Sequence, residues 1–126
     1  MRIDAVAIIG IIHADANDTA IALTLPAGIT RYQVMGIQIA HASISLTTAQ
    51  AGVYTAAAAG GVAVASHQAL STVTASAADT NGNGMALTQT LPAATWFTET
   101  VLYFNVGTAQ GAPATCDVVI QIASLS

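Results

Sequence analysis

The chain has 126 residues, a net charge of −4, and 6% charged side chains against 54% hydrophobic ones. Soluble domains commonly devote about a quarter of their residues to charge. Here there is no lysine, and the two arginines, Arg2 and Arg31, cannot form the basic patch that nucleic acid or an anionic membrane surface requires. A single cysteine, Cys116, leaves no disulfide within the chain and no zinc spacing. Charge is what keeps a free protein dispersed, so a surface this bare is expected to be covered by neighbouring subunits. The length fits one domain over residues 1–126 with one core.

Taken in chain order, the first apolar run, Ala5–Ile12, has the content of a short secretory signal. Asp4 stands at its start, a single arginine forms its basic region, and it falls short of the about 20 apolar residues that span a bilayer. Arg2–Ile12 is therefore expected as a buried strand, and residues 1–12 as a strand or arm that pairs with a neighbour's sheet. After the polar break Asp15–Asp18, strands are predicted over Thr19–Leu25, over Tyr32–Ile39 continuing through Ser43–Leu46, and over Gly52–Ala56 and Val62–Ala65. Leu70–Ala75, Met85–Leu91, Thr100–Val106 and Thr115–Ile122 complete the set. Alternation is plain in Val34-Met35-Gly36-Ile37-Gln38-Ile39 and in Val118-Val119-Ile120-Gln121-Ile122, where β-branched side chains favour a pleated backbone.

Turn residues separate these runs: Pro26-Ala27-Gly28, Gly60-Gly61, Asn81-Gly82-Asn83-Gly84, Pro92 and Gly111–Pro113. Ala56–Ala59 favours a helix by propensity, but Tyr54-Thr55 before it and two glycines after it make a hairpin arm the better reading. No segment keeps a helical period. Thr24-Leu25-Pro26-Ala27 returns as Thr90-Leu91-Pro92-Ala93, and Thr48-Ala49-Gln50 returns as Thr108-Ala109-Gln110, an echo that two similar halves of a double Greek key would produce. The expected fold is all-β: a single antiparallel β-sandwich, jelly-roll-like, of about eight strands.

Chemistry-bearing residues are few. Asp79-Thr80-Asn81-Gly82-Asn83-Gly84 matches the first half of a calcium loop. Thr90 stands where the bidentate glutamate belongs, and a strand is predicted where such a loop leads into a helix, so a hairpin turn is the favoured reading. His13, His41 and His67 are far apart, and none has a metal-ligand spacing partner. Asp4, Asp15, Asp18, Asp79, Glu99 and Asp117 read as turn or strand-edge residues, and no Gly-x-Ser-x-Gly elbow occurs. Cys116, without a histidine nearby, reads as a small buried hydrophobe. No catalytic, cofactor-binding or metal-ligating residue is assigned, and no enzyme is expected. Trp96-Phe97 and Tyr103-Phe104 concentrate the aromatics; they suit core or interface anchors better than a carbohydrate platform. Asn17-Asp18-Thr19 fits a glycosylation acceptor, without consequence in the absence of a secretory signal.

Ala42-Ser43-Ile44-Ser45-Leu46-Thr47-Thr48-Ala49 with Gly52-Val53-Tyr54-Thr55-Ala56-Ala57-Ala58, and later Leu102-Tyr103-Phe104-Asn105-Val106-Gly107-Thr108 running on to Asp117-Val118, resemble small all-β virion structural proteins of tailed bacteriophages. The resemblance implies a capsid decoration, or cement, protein on the outside of the shell. Its expected partners are the major capsid protein and itself, as a homotrimer, and it needs no cofactor. It would be made in the host cytoplasm and reside on the virion surface. Two other readings stand beside this one: a neck, tail or fibre component, and a host-surface or glycan-binding module using Trp96.

Overall fold

Two antiparallel sheets stack in the computed structural model, which describes residues 2–9, 17–23, 25, 27–74, 84–92, 94–108 and 115–125. The first sheet holds β1 (Arg2–Ile9), β3 (Arg31–Ala40), β6 (Met85–Ala86), β7 (Trp96–Phe97) and β9 (Cys116–Leu125). Its order is β1-β9-β3-β6, with β7 also paired to β3. The second sheet holds β2 (Asn17–Ala22), β4 (Gln50–Ala56), β5 (Gly60–Ala69) and β8 (Val101–Thr108) in the order β2-β8-β4-β5. The all-β sandwich expected from the sequence is the architecture observed, and no helix occurs among the described residues.

The stacking follows from strand alternation. Along β3, Tyr32, Val34, Ile37 and Ile39 are buried while Arg31, Met35 and Gln38 are exposed. Two residues, Met35 and Gly36, separate the inward Val34 from the inward Ile37, and the β3–β9 register shifts at this point. That bulge keeps both halves of β3 facing the core. On β9, Cys116, Val118, Ile120 and Ile122 face inward. Opposite them stand Ile21, Ala51, Val53, Val64, Leu102, Phe104 and Val106 from the second sheet, in one continuous cluster. Each fully buried aliphatic or phenyl side chain contributes about 1.5–3 kcal/mol. Tyr32, wholly buried, stacks on Phe97 at 5.9 Å and donates its hydroxyl to the Glu99 carbonyl at 2.7 Å, so its one polar atom is satisfied.

Three predicted strands are corrected. β3 ends at Ala40 because His41 adopts a left-handed backbone (φ 54°), and 43–46 run as irregular chain. There Ala42 and Leu46 are buried, and Ser43 and Leu46 donate their amides to Thr115 and Val73. Leu70 and Val73 are both buried although residues three apart would face opposite sides of a strand; the chain turns between them, Val73 N–H donating to Leu70 O. Met85–Leu91 shortens to the two residues of β6 because the chain leaves the first sheet for the second. Leu87 N–H bonds Ile37 O on β3, whereas Thr90 N–H bonds Val64 O on β5. Side chains complete this crossing: the Gln68 amide pairs with both backbone groups of Thr88, and Thr90 Oγ1 accepts from Ser66 N–H. The outer edge of β5 is thereby covered.

β1 pairs with β9 of its own chain from Arg2↔Ile122 to Ile9↔Cys116 and forms an edge of the first sheet, so any pairing with a neighbour falls to its other edge. Ile11 and Ile12 lie outside the described residues. Ala57–Ala59 form the tip of the β4–β5 hairpin rather than an arm. Gly60 N–H donates to Ala57 O at 3.0 Å, and Ala58 and Ala59 both take left-handed φ values of 57° and 56°. This is a type I′ geometry, which disfavours a side chain at both central positions and favours Asn-Gly. Replacing the pair by Ala58→Asn and Ala59→Gly is expected to raise stability by about 1 kcal/mol in urea unfolding; an unchanged or lower midpoint would contradict this reading of the turn.

Candidate functional site

Apart from the histidines, four acidic or basic side chains are described: Asp18, Arg31, Glu99 and Asp117. Two of them, Arg31 and Asp117, lie on the outer face of the first sheet, towards opposite ends of β3. Arg31 opens the strand, and Asp117 pairs in register with Ala40 at its close. The β3–β7 ladder sets Trp96 opposite Gln33, and the Arg31 guanidinium carbon sits 4.8 Å above the centre of the indole ring. A cation over this ring face is attracted by its quadrupole. Among the described residues Arg31 has no carboxylate partner. Gln33 fixes the neighbouring backbone by donating to Ala94 O at 3.1 Å. Trp96 stays 39% exposed and Met35 37% exposed on this face. At the other end, the exposed His41 approaches Asp117 Oδ2 through Nδ1 at 2.9 Å. A cleft of about 280 Å³ lies beside that end of β3, lined by Gln38, Ile39, Ala40, Gly84, Met85 and Ala86.

The outer face of the second sheet carries a polar relay. Asp18, on β2, pairs in register with Asn105 on β8, and Asn105 with Gly52 on β4. Asn105 Nδ2 donates to Asp18 Oδ1 at 2.8 Å, and Asp18 Oδ2 accepts the Ala58 N–H of the hairpin tip at 2.7 Å. The carboxylate only accepts, which turns the Asn105 oxygen towards His67. His67 Nε2 is 2.6 Å from that oxygen and therefore carries the proton. Glycines make the room: a Cβ on Gly107 would press on the His67 ring at 3.0 Å, and one on Gly52 would lie 2.5 Å from Ala65 O. The Tyr54 hydroxyl accepts His67 N–H at 3.0 Å, and the two rings meet edge to face at 5.2 Å. The relay ties β2, β8, β5 and the hairpin tip together. Asn105 is 2% exposed, and losing a buried partner costs about 1–3 kcal/mol.

The remaining sequence candidates fall elsewhere. Among the described residues, no three His, Cys, Asp or Glu side chains converge on a metal-sized site. His13 and 79–83 lie outside the described residues; Gly84 O accepts from Thr72 Oγ1 at 3.2 Å. Phe97 and Phe104 are core residues, whereas Trp96 points outward. Burial, and after it the adjacent Asp117 carboxylate, push the Cys116 thiol up to about 12. Sequence reasoning singled out Trp96, Asp117, His41 and His67 but missed Arg31 and Asn105 as their partners. The isolated glycines at 52 and 107 were the available signal for His67. Comparison of the chain with protein-family models, curated proteins and solved structures returns no match.

Two outcomes follow. Asn105→Ala is expected to lower stability by about 2 kcal/mol in urea unfolding, because Asp18 and His67 each lose their shared partner; a loss within experimental error would remove the relay's structural role. Cys116 should stay unreactive towards a disulfide reagent at pH 8 until the chain unfolds. Its raised folded value also means that stability is fully present below about pH 8.5, where the unfolded thiol begins to ionise. It declines as pH rises towards about 12, which unfolding curves at stepped alkaline pH would detect.

Proposed function

We propose that the chain is a structural subunit of a tailed-phage virion, a decoration protein that binds outside the shell and bridges neighbouring capsid subunits. The observation that carries this reading is the surface. Four charged side chains are described, while Met35, Val62 and Trp96 are exposed. Such a surface suits a subunit that spends its life in contact with others. The strand order adds support. With the two-residue β7 set aside, the order β1-β9-β3-β6 over β2-β8-β4-β5 supports a jelly-roll reading of the sandwich, an arrangement used by viral capsid domains.

The mechanism is mechanical: apolar area and main-chain pairing are added where neighbouring shell subunits tend to separate. Contacts of that kind depend little on ionic strength, whereas ion-pair contacts weaken as salt screens them. The glycan reading fares less well on geometry, since Arg31 already occupies a face of the indole on which a sugar ring would stack. Purified protein mixed with undecorated capsids of the phage that encodes it should co-sediment to a fixed, saturable ratio per shell subunit. Raising the salt from low to molar concentration should leave that ratio unchanged. Failure to co-sediment with those capsids overturns the reading, and binding confined to necks or tails moves the subunit there.

A further inference from the structure

The two ends of β3 on the outer face of the first sheet are complementary. One end carries Arg31, a cation with no carboxylate partner among the described residues, beside the exposed Trp96. The other carries Asp117, whose Oδ2 meets His41, and the cleft lined by Gln38, Ala40 and Ala86 among others. Half-way along the strand, at the bulge, stands the exposed Met35. Consider a two-fold axis that lies between two such faces and crosses the strands at Met35. It exchanges the ends of β3, so Arg31 of one copy falls over Asp117 of the other, and Trp96 falls over the second copy's cleft. The small, exposed Ala86 lines that cleft and leaves space for a large ring. Met35 then meets Met35 at the centre, with the charges towards the rim, as stable interfaces are arranged.

We infer that this face is a self-complementary interface by which two copies of the chain pair about a two-fold axis. An isologous contact needs a patch that matches itself, and a cation, an anion, a knob and a cleft placed at opposite ends of one strand supply it. Size is adequate. At 4.8 Å spacing and about 3.3 Å per residue, the ten residues each of β3 and β9, the eight of β1 and the two each of β6 and β7 present roughly 500 Å², so a pair would cover roughly 1,000 Å², at the threshold of specific interfaces. The inference stands apart from capsid binding, and it replaces the three-fold assembly expected from the sequence by a two-fold one.

Light scattering over a dilution series should give twice the 12.6 kDa chain mass at high concentration. The emission of Trp96, the single tryptophan, should shift to the blue in step with the mass. Trp96→Ala and Arg31→Asp should each hold the protein at the monomer mass with an unchanged circular dichroism spectrum, because both side chains are exposed. Arg31→Asp combined with Asp117→Arg should restore the pair. Met35→Cys should join two copies through a short bis-maleimide, Cys116 being buried and out of reach. A mass of one or three chains throughout overturns the inference. So does a pair indifferent to Trp96→Ala, a charge exchange without rescue, or Met35→Cys that does not cross-link. A monomer that still co-sediments with capsids, and loses this on Trp96→Ala, would assign the face to the shell instead.

Discussion

Everything in this fold depends on β3 keeping its buried side chains in phase over ten residues. Strand periodicity is two, so an uncompensated extra residue would turn the rest of the strand inside out. The bulge between Val34 and Gly36 absorbs that extra residue. Tyr32 and Val34 before it and Ile37 and Ile39 after it therefore all reach the same core. The same device has an outward consequence. It leaves Met35 on the exposed face beside a glycine, with the first sheet's partly exposed residues of β9, among them Val119, Gln121 and Ala123, alongside. The core constraint thus helps to shape the surface.

With so few charges, the protein protects its sheets by other means. Edge strands usually carry lysine or other charges that discourage pairing with strangers. Here the β5 edge is stitched to 88–90 by Gln68, Ser66 and Thr90, whose amide and hydroxyl groups imitate a ladder. Asp18, on the outer face, is bound by Asn105 and by the hairpin tip. That arrangement uses an exposed carboxylate to order the second sheet and its hairpin tip. The polar groups that remain are held by geometry, notably by Gly107, which admits the His67 ring, and by Gly52, which lets the backbone of residues 65–67 approach.

The long strands were legible because alternation reports burial directly, as β3, β8 and β9 illustrate. The same signal misled at Ser43–Leu46 and Leu70–Ala75. Ala42, Leu46, Leu70 and Val73 are buried, but burial does not require a ladder, and the left-handed His41 and the Leu70–Val73 turn redirect the backbone. A two-residue strand such as β7 is too short to carry a period. Its significance comes from tertiary pairing, which brings Trp96 to Gln33 and Arg31 from far along the chain. Asn105 was hidden for a related reason: it sits in an apolar run, and its partners Asp18 and His67 belong to other strands.

Low charge and an exposed tryptophan are usually treated as separate oddities, but here one geometry joins them. Arg31 is the only lysine or arginine with a described side chain, and it lies on Trp96 rather than on a carboxylate. In water that contact is worth about 0.5–1 kcal/mol, and it grows to about 2 when the pair is desolvated. The arrangement is therefore modest in a free monomer and stronger once something covers the face. Any covering surface must then meet a cation that has left its hydration shell, and unpaired buried charge is costly. Only a surface that brings a carboxylate to this end of β3 can cover it at low cost. A chain with few charges can thus be selective through one of them, because its apolar surroundings raise the penalty for the wrong partner.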